Sequence, residues 1–433
     1  MSAAPADRYH ALDALRGFAM FLGIVLHVGI SFMSAPPAFW PIHDEHSTVV
    51  ADVFLIAVHD FRMQLFFLLA GFFGCLLYLR YGLVGMLRQR VRRVAIPFVL
   101  ALAIIVPTVQ AVGLYAEIEN VRSGETREGS WLRDYAAELV ADNPDATTCL
   151  LVRDFFLSGE SLARLPLTHL WFLYYLLIFF AVVALIAPAL ARLSGTRQLA
   201  RFDAGSRAVL GSRARLLVLS LLTLPLMLTM HWAVDTPTSW VPRINVLGYY
   251  FGFFVFGWML YRHRDLVAAF GRNWKRNLAV ANLVFLPALL VLVMQGAGVE
   301  KAGKGDLLGW KVGAASASVM YTWLMIVGMW GCFLSCFSRG SAWARYMADA
   351  SYWCYLASLT PILVLQLVVA SWDLPGELKF VMVTLVTMIV LLASYEWGVR
   401  YTFIGAVLNG RKHRTRSSVA RPAIAEEPTL IAS

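Results

Sequence analysis

The chain has 433 residues, of which 59% are hydrophobic and only 15% charged, with 37 Lys+Arg against 27 Asp+Glu for a net charge of +10. That composition excludes a water-soluble, disordered or collagenous chain and has room for about ten membrane crossings of about 20 residues each. In such a chain the positive balance reports cytoplasmic loops, and no nucleic-acid partner is expected.

Apolar windows bounded by charged or Gly/Pro-rich stretches place spans near 11–33, 55–79, 95–115, 167–191, 216–232, 246–261, 278–295, 313–337, 350–371 and 380–403. The pattern predicts an all-α, polytopic membrane protein. One ten-helix domain is expected over 1–410, with an outer loop at 116–166 and a basic, disordered cytoplasmic tail at 411–433. The first window is read as a retained span, because about 20 apolar residues is long for a signal-peptide core and no soluble domain follows.

The connections between spans alternate in charge. Residues 80–94 carry Arg80, Arg88, Arg90, Arg92 and Arg93, and the stretches 192–215, 262–277 and 411–421 are similarly basic. The intervening connections hold few basic residues or, at 116–166, more acids than arginines. This alternation puts both termini in the cytoplasm, in a pattern that suits a bacterial inner membrane. No internal repeat is visible, which weighs against a secondary transporter. The five cysteines, Cys75, Cys149, Cys332, Cys336 and Cys354, lack metal-ligand spacing and predict neither zinc nor a disulfide framework.

An ionisable residue near the centre of a span costs about 2.5–3.5 kcal/mol on insertion scales, so such residues usually face a cavity or a partner. In the first span Arg16 and His27 are eleven residues apart, which places them on nearly the same helix face about 16 Å apart along the axis. Taken singly, Arg16 reads as a snorkelling residue and His27 as a core histidine bonded to a carbonyl. The second span shifts that balance: His59, Asp60, Arg62 and Gln64 crowd its outer part, at a depth comparable to His27.

His169, in His169-Leu-Trp-Phe-Leu at the outer start of the fourth span, reads either as an interfacial cap or as a third contributor to the same cavity. Arg90 and Arg93, three apart on the basic side, suit phosphate oxygens, though such clusters also bind lipid headgroups or enforce topology. Glu396 and Arg400 form an i,i+4 pair with no catalytic role. His43 and His46, also i,i+3, are too few for a metal site, and none is expected.

Arg16 followed by His27 in the first span, Arg90-x-x-Arg93 before the third, and ten spans together resemble the membrane acyltransferases of the acyltransferase-3 group. The runs around His59–Phe73, Leu79-Arg80-Tyr81, Ile96-Pro97 and His169–Leu173 resemble a branch of that group associated with succinylation of periplasmic glucans. The resemblance is densest over 8–100 and 167–180. It implies a membrane O-acyltransferase that moves an acyl group, succinyl or acetyl, from cytoplasmic acyl-coenzyme A to hydroxyls of an extracytoplasmic glucan or other carbohydrate.

His27 and Arg16 are then the catalytic candidates, Arg90 and Arg93 the donor-binding pair, and His59, Asp60, Arg62 and His169 the site lining. Acyl-coenzyme A enters as co-substrate, with no permanently bound cofactor. Where relatives are expected to carry histidine near position 358 this chain has Ser358, so no late-helix histidine contributes. His27 has the chemistry of a general base toward a sugar hydroxyl. No G-x-S-x-G elbow suggests a covalent serine intermediate. Acylation of another polysaccharide or a lipopolysaccharide, a proton-coupled transporter and a scaffold for polysaccharide synthesis are the competing readings.

Overall fold

The computed structural model describes residues 9–125, 130–193, 195–230, 234–296 and 307–410, and of these the side chains of 286–296 and 307–308 are excepted. The expected tail at 411–433 lies outside the described residues. The described residues are helical and contain no strand. In hydrocarbon a helix satisfies its own backbone polar groups, so apolar windows of this length have little other choice.

In chain order the helices are α1 (His10–Ile30), α2 (Val49–Arg90), α3 (Ile96–Arg122), α4 (Trp131–Asp142), α5 (Thr148–Leu157), α6 (Glu160–Ala163), α7 (Trp171–Arg192), α8 (Arg197–Gly211) and α9 (Arg215–Leu228). There follow α10 (Ile244–Arg262), α11 (Val267–Phe270), α12 (Trp274–Gly296), α13 (Leu307–Cys336), α14 (Ala342–Ala357), α15 (Leu359–Ala370), α16 (Gly376–Ser394) and α17 (Phe403–Asn409).

Among the described residues six helical stretches are long and apolar enough to cross a membrane, and eight if each of two bent pairs is one span. Nine of the ten expected windows map onto these stretches. Those at 55–79 and 95–115 share one continuous 74-residue stretch, Val49–Arg122. Those at 216–232 and 350–371 fall on the bent pairs α8–α9 (117°) and α14–α15 (66°). The window at 278–295 falls in α12, part of which lacks described side chains. The protein is a polytopic membrane protein.

α1 is central, packed against α2, α13, α14, α15 and α16, which buries most of its surface. α2 runs along α10 at close range: a Cβ on Gly71 would strike the Phe254 carbonyl, and one on Gly257 the Leu68 carbonyl. Small residues facing each other let two backbones approach, which is how helices gain van der Waals contact when lipid offers no hydrophobic drive.

Tyr9 and Arg16, early in the described chain, and Asn409 and Gly410, at its end, lie at the same end of the bundle. At the opposite end the expected outer loop is itself helical. α3 continues to Arg122, and Leu114, Ile118, Ala136, Leu151 and Phe155 from α3, α4 and α5 form a second small core. An Arg133–Glu117 ion pair of 3.3 Å is buried beside it. The 3.6-residue spacing of Leu132, Ala136 and Leu139 explains α4 despite its acids.

Candidate active site

Arg16, Arg90 and Arg93 converge on a single cavity of about 440 Å³ at the end of the bundle that holds both described chain ends. Arg90 ends α2, and a π-helical turn, Val91–Ala95, joins it to α3 and carries Arg93. Pro97, four residues after Arg93, has no N–H to give to the Arg93 carbonyl. The Arg93 carbonyl accepts instead from the Tyr352 hydroxyl at 2.8 Å. The Arg93 guanidinium donates to the Asn409 carbonyl at 2.8 Å, so α17 closes one side of the cavity.

The Arg90 guanidinium lies over the Phe180 ring, 4.6 Å from its centroid. Its Nε and one terminal nitrogen are sealed from solvent without an acceptor among the described residues, as is the carbonyl oxygen of neighbouring Gln89 without a donor. Asp13 and Asp349 also line the cavity, Asp13 being 3.5 Å from Arg16, which leaves a surplus of positive charge. A buried cation with idle donors is costly unless an anion meets it.

The cavity is also lined by apolar side chains: Met20 of α1, Phe66 and Leu69 of α2, and Phe172, Leu173 and Leu176 of α7. Phe66 is one helical turn from Arg62, and Leu173 one turn from His169, about 6 Å in each case. This apolar part of the lining therefore lies about one helical turn from the second group of polar residues.

That group centres on His27, whose Nδ1 is sealed from solvent with no partner among the described residues. Its ring lies 6.3 Å from that of His169, edge on, and 6.2 Å from that of Trp40, nearly parallel at 21°. Arg62 reaches across from α2 to α1. A Cβ on Gly23 would overlap the Arg62 guanidinium, so glycine at this position lets the cation lie against the α1 face one turn below His27. The Nε of Arg62 has no acceptor among the described residues.

His169 is held by backbone on both sides. Its Nε2 donates to the Leu356 carbonyl at 3.2 Å, and its own carbonyl accepts from the Tyr355 hydroxyl at 2.7 Å. The preceding residue, Thr168, has φ +44°. A β-branched residue there is strained by about 1–3 kcal/mol and persists only because its surroundings hold it. Fully used at Nε2, His169 has no donor left there for a substrate, whereas Arg62 does.

The polar residues of α2 do not stay together. His59 Nε2 donates to the Val234 carbonyl at 2.7 Å, and the Asp60 carboxylate accepts from Ser318 of α13 at 3.0 Å. Gln64 donates to Tyr249 of α10 at 3.4 Å. At about 100° per residue, four neighbours in sequence face different helices. Asp60 and Gln64 tie α2 into the bundle, whereas Arg62 and His59 lie within electrostatic reach of His27.

Arg16 is not delivered to His27 but to the cavity with Arg90 and Arg93. Ser358 is buried at the α14–α15 bend, its hydroxyl donating to the Tyr355 carbonyl at 3.2 Å. Glu396 and Arg400 pair at 2.7 Å, as their spacing requires. No cluster of three or more metal-ligating side chains occurs among the described residues. Trp40, Tyr352 and Tyr355 went unread in the sequence, since aromatic residues in a membrane protein carry no mark of a site.

Comparison with known proteins bears on what this arrangement is. The family described as "Acyltransferase domain" matches residues 9–396. Glucans biosynthesis protein C of Escherichia coli strain K12 is 35% identical over 105 residues, and that of strain SMS-3-5 / SECEC is 34% identical over 105. Each match covers 24% of this chain and only 26% of the relative, so the likeness spans about a quarter of those proteins. No solved structure matches. With nearly its whole length matched, two separated polar centres included, the chain belongs to the acyltransferase-domain family.

Proposed function

We propose that this protein is a membrane O-acyltransferase that takes its acyl group from acyl-coenzyme A, succinyl or acetyl, and places it on a hydroxyl of an extracytoplasmic carbohydrate. The observation that carries the reading is the single cavity lined by Arg16, Arg90 and Arg93 and by apolar side chains that include Phe66 and Leu173, one helical turn from Arg62 and His169. The acceptor is a glucan, a reading supported by relatives named for glucan biosynthesis.

The chain crosses a bacterial inner membrane ten times with both termini in the cytoplasm. The basic connections at 80–94, 192–215 and 262–277 support that orientation, because arginine-rich loops stay on the cytoplasmic side. It puts the arginine cavity where coenzyme A is found and the His27 cluster in the other half of the membrane.

The donor's phosphates pair with Arg16, Arg90 and Arg93, whose planar donors match phosphate oxygens. The pantetheine arm runs along the apolar lining and brings the thioester to Arg62 and His27. The acceptor hydroxyl oxygen attacks the thioester carbon while the neutral imidazole of His27 takes the hydroxyl proton. Negative charge on the former carbonyl oxygen is met by the Arg62 guanidinium. When the intermediate collapses, the C–S bond breaks and the proton passes from His27 to the departing sulfur. The products are the carbohydrate ester and free coenzyme A.

The test uses purified protein in proteoliposomes with labelled succinyl- and acetyl-coenzyme A and a periplasmic glucan. His27→Ala is expected to lose transfer by about 10²-fold or more while still binding donor. Arg90→Ala is expected to weaken donor binding. Wild-type transfer by the His27→Ala protein, or failure of the wild type to bind either donor, would overturn the assignment.

A further inference from the structure

We infer that Trp40 and Gln366 are positioning residues for the reaction, together holding the His27 imidazole in its working orientation. The inference rests on the reading of His27 as the general base. Neither residue lines the arginine cavity or belongs to α2.

Trp40 belongs to the connection between α1 and α2, which turns back into the bundle so that the indole is buried at 5% exposure. Its ring plane is 21° from that of His27, at 6.2 Å between centroids. The indole Nε1 donates to Gln366 Oε1 at 3.1 Å. The amide nitrogen of the same Gln366, on α15, donates to the carbonyls of Val28 at 2.9 Å and His27 at 3.3 Å.

One side chain therefore grips both the backbone that bears the imidazole and the indole that flanks its ring. The two carbonyls lie in the last turn of α1, where carbonyls lack intrahelical partners, which gives Gln366 its place. The Trp40 end is equally fixed. Ser31 Oγ donates to the Ile42 carbonyl at 2.6 Å, and Lys379 of α16 pairs with Asp44 at 2.9 Å, both groups buried.

An imidazole whose Nδ1 has no hydrogen-bond partner is not oriented in the usual way, by a carboxylate or carbonyl on its second nitrogen. Here orientation comes from a flat neighbour and a fixed backbone. Misplacing a catalytic group by about 1 Å costs about 10²-fold in rate, so this restraint is kinetically visible.

The experiment measures kcat and KM for the acyl donor in proteoliposomes for wild type, Trp40→Phe, Trp40→Leu, Gln366→Met and His27→Ala, with thermal midpoints alongside. Phe39→Ala serves as the control, as its side chain is 61% exposed in the same connection. Trp40→Leu and Gln366→Met are expected to lower kcat by about 10- to 100-fold with donor KM unchanged. Trp40→Phe, which keeps a flat ring, recovers part of the loss, and Phe39→Ala behaves as wild type.

A fall in kcat that simply tracks a lowered thermal midpoint, without rescue by phenylalanine, would reduce the pair to packing. Wild-type kcat in both Trp40→Leu and Gln366→Met, with His27→Ala inactive, would sink the inference and leave the base assignment standing. Activity in His27→Ala would remove both.

Discussion

At the scale of single residues, Gly23 is the most exacting position near His27. It has no motif and no charge, yet it makes room for the Arg62 guanidinium beside α1. Gly23→Ala should not lower stability, because alanine is favoured over glycine in a helix interior by about 0.5–1 kcal/mol and the obstructing atoms are the far end of a flexible side chain. It should move Arg62 and cut kcat by about 10- to 100-fold. Loss of activity with an unchanged or raised thermal midpoint is the expected pair of readings. Full activity would mean that Arg62 works from elsewhere. Sequence reading found Arg62 by its polarity, but it could not find Gly23, whose role is the absence of atoms.

The π turn and the bent pairs belong to the scale of elements. Arg90 and Arg93 do share one cavity, as their spacing suggested, but they do so across a π turn whose freed carbonyl is met by Tyr352, 259 residues away. The connection between α1 and α2 is the other element with consequences. Its proline-containing sequence, without Lys or Arg, reads as a plain loop, whereas its Asp44–Lys379 pair is fully buried.

Removing one partner from such a pair strands a charge, which costs about 3–5 kcal/mol. Lys379→Met is therefore expected to lower the thermal midpoint sharply, and Lys379→Met combined with Asp44→Asn to recover part of it. Equal stability of Lys379→Met and wild type in a detergent melt would show that the carboxylate finds another partner. The buried lysine was not legible in sequence, because position 379 directly follows a helix start where a solvated lysine is ordinary.

For the whole molecule the central claim is sidedness, and two native cysteines test it. Cys149 in α5 and Cys336 at the end of α13 are both exposed, at opposite ends of the bundle. Applied from the periplasm, a membrane-impermeant maleimide is expected to modify Cys149 and spare Cys336, with Cys336 reacting only after lysis. The reverse pattern would invert the protein and place the arginine cavity away from the cytoplasmic acyl-coenzyme A pool.

From sequence alone the helical class, the membrane, the approximate windows and the identity of the charged residues followed. Apolar segments of this length admit only helices in lipid, and buried charge is rare enough there to stand out. What tertiary structure decided was partnership. Of the crowded residues of α2 it sent Asp60 to α13 and Gln64 to α10, and it kept Arg62 and His59 within reach of His27. Arg16 went to Arg90 and Arg93, and Trp40 was brought down onto an imidazole thirteen positions before it. Helical rotation disperses sequence neighbours, and packing then gathers residues from distant helices. Partnership therefore depends on which helices meet, and no local pattern in the chain encodes that.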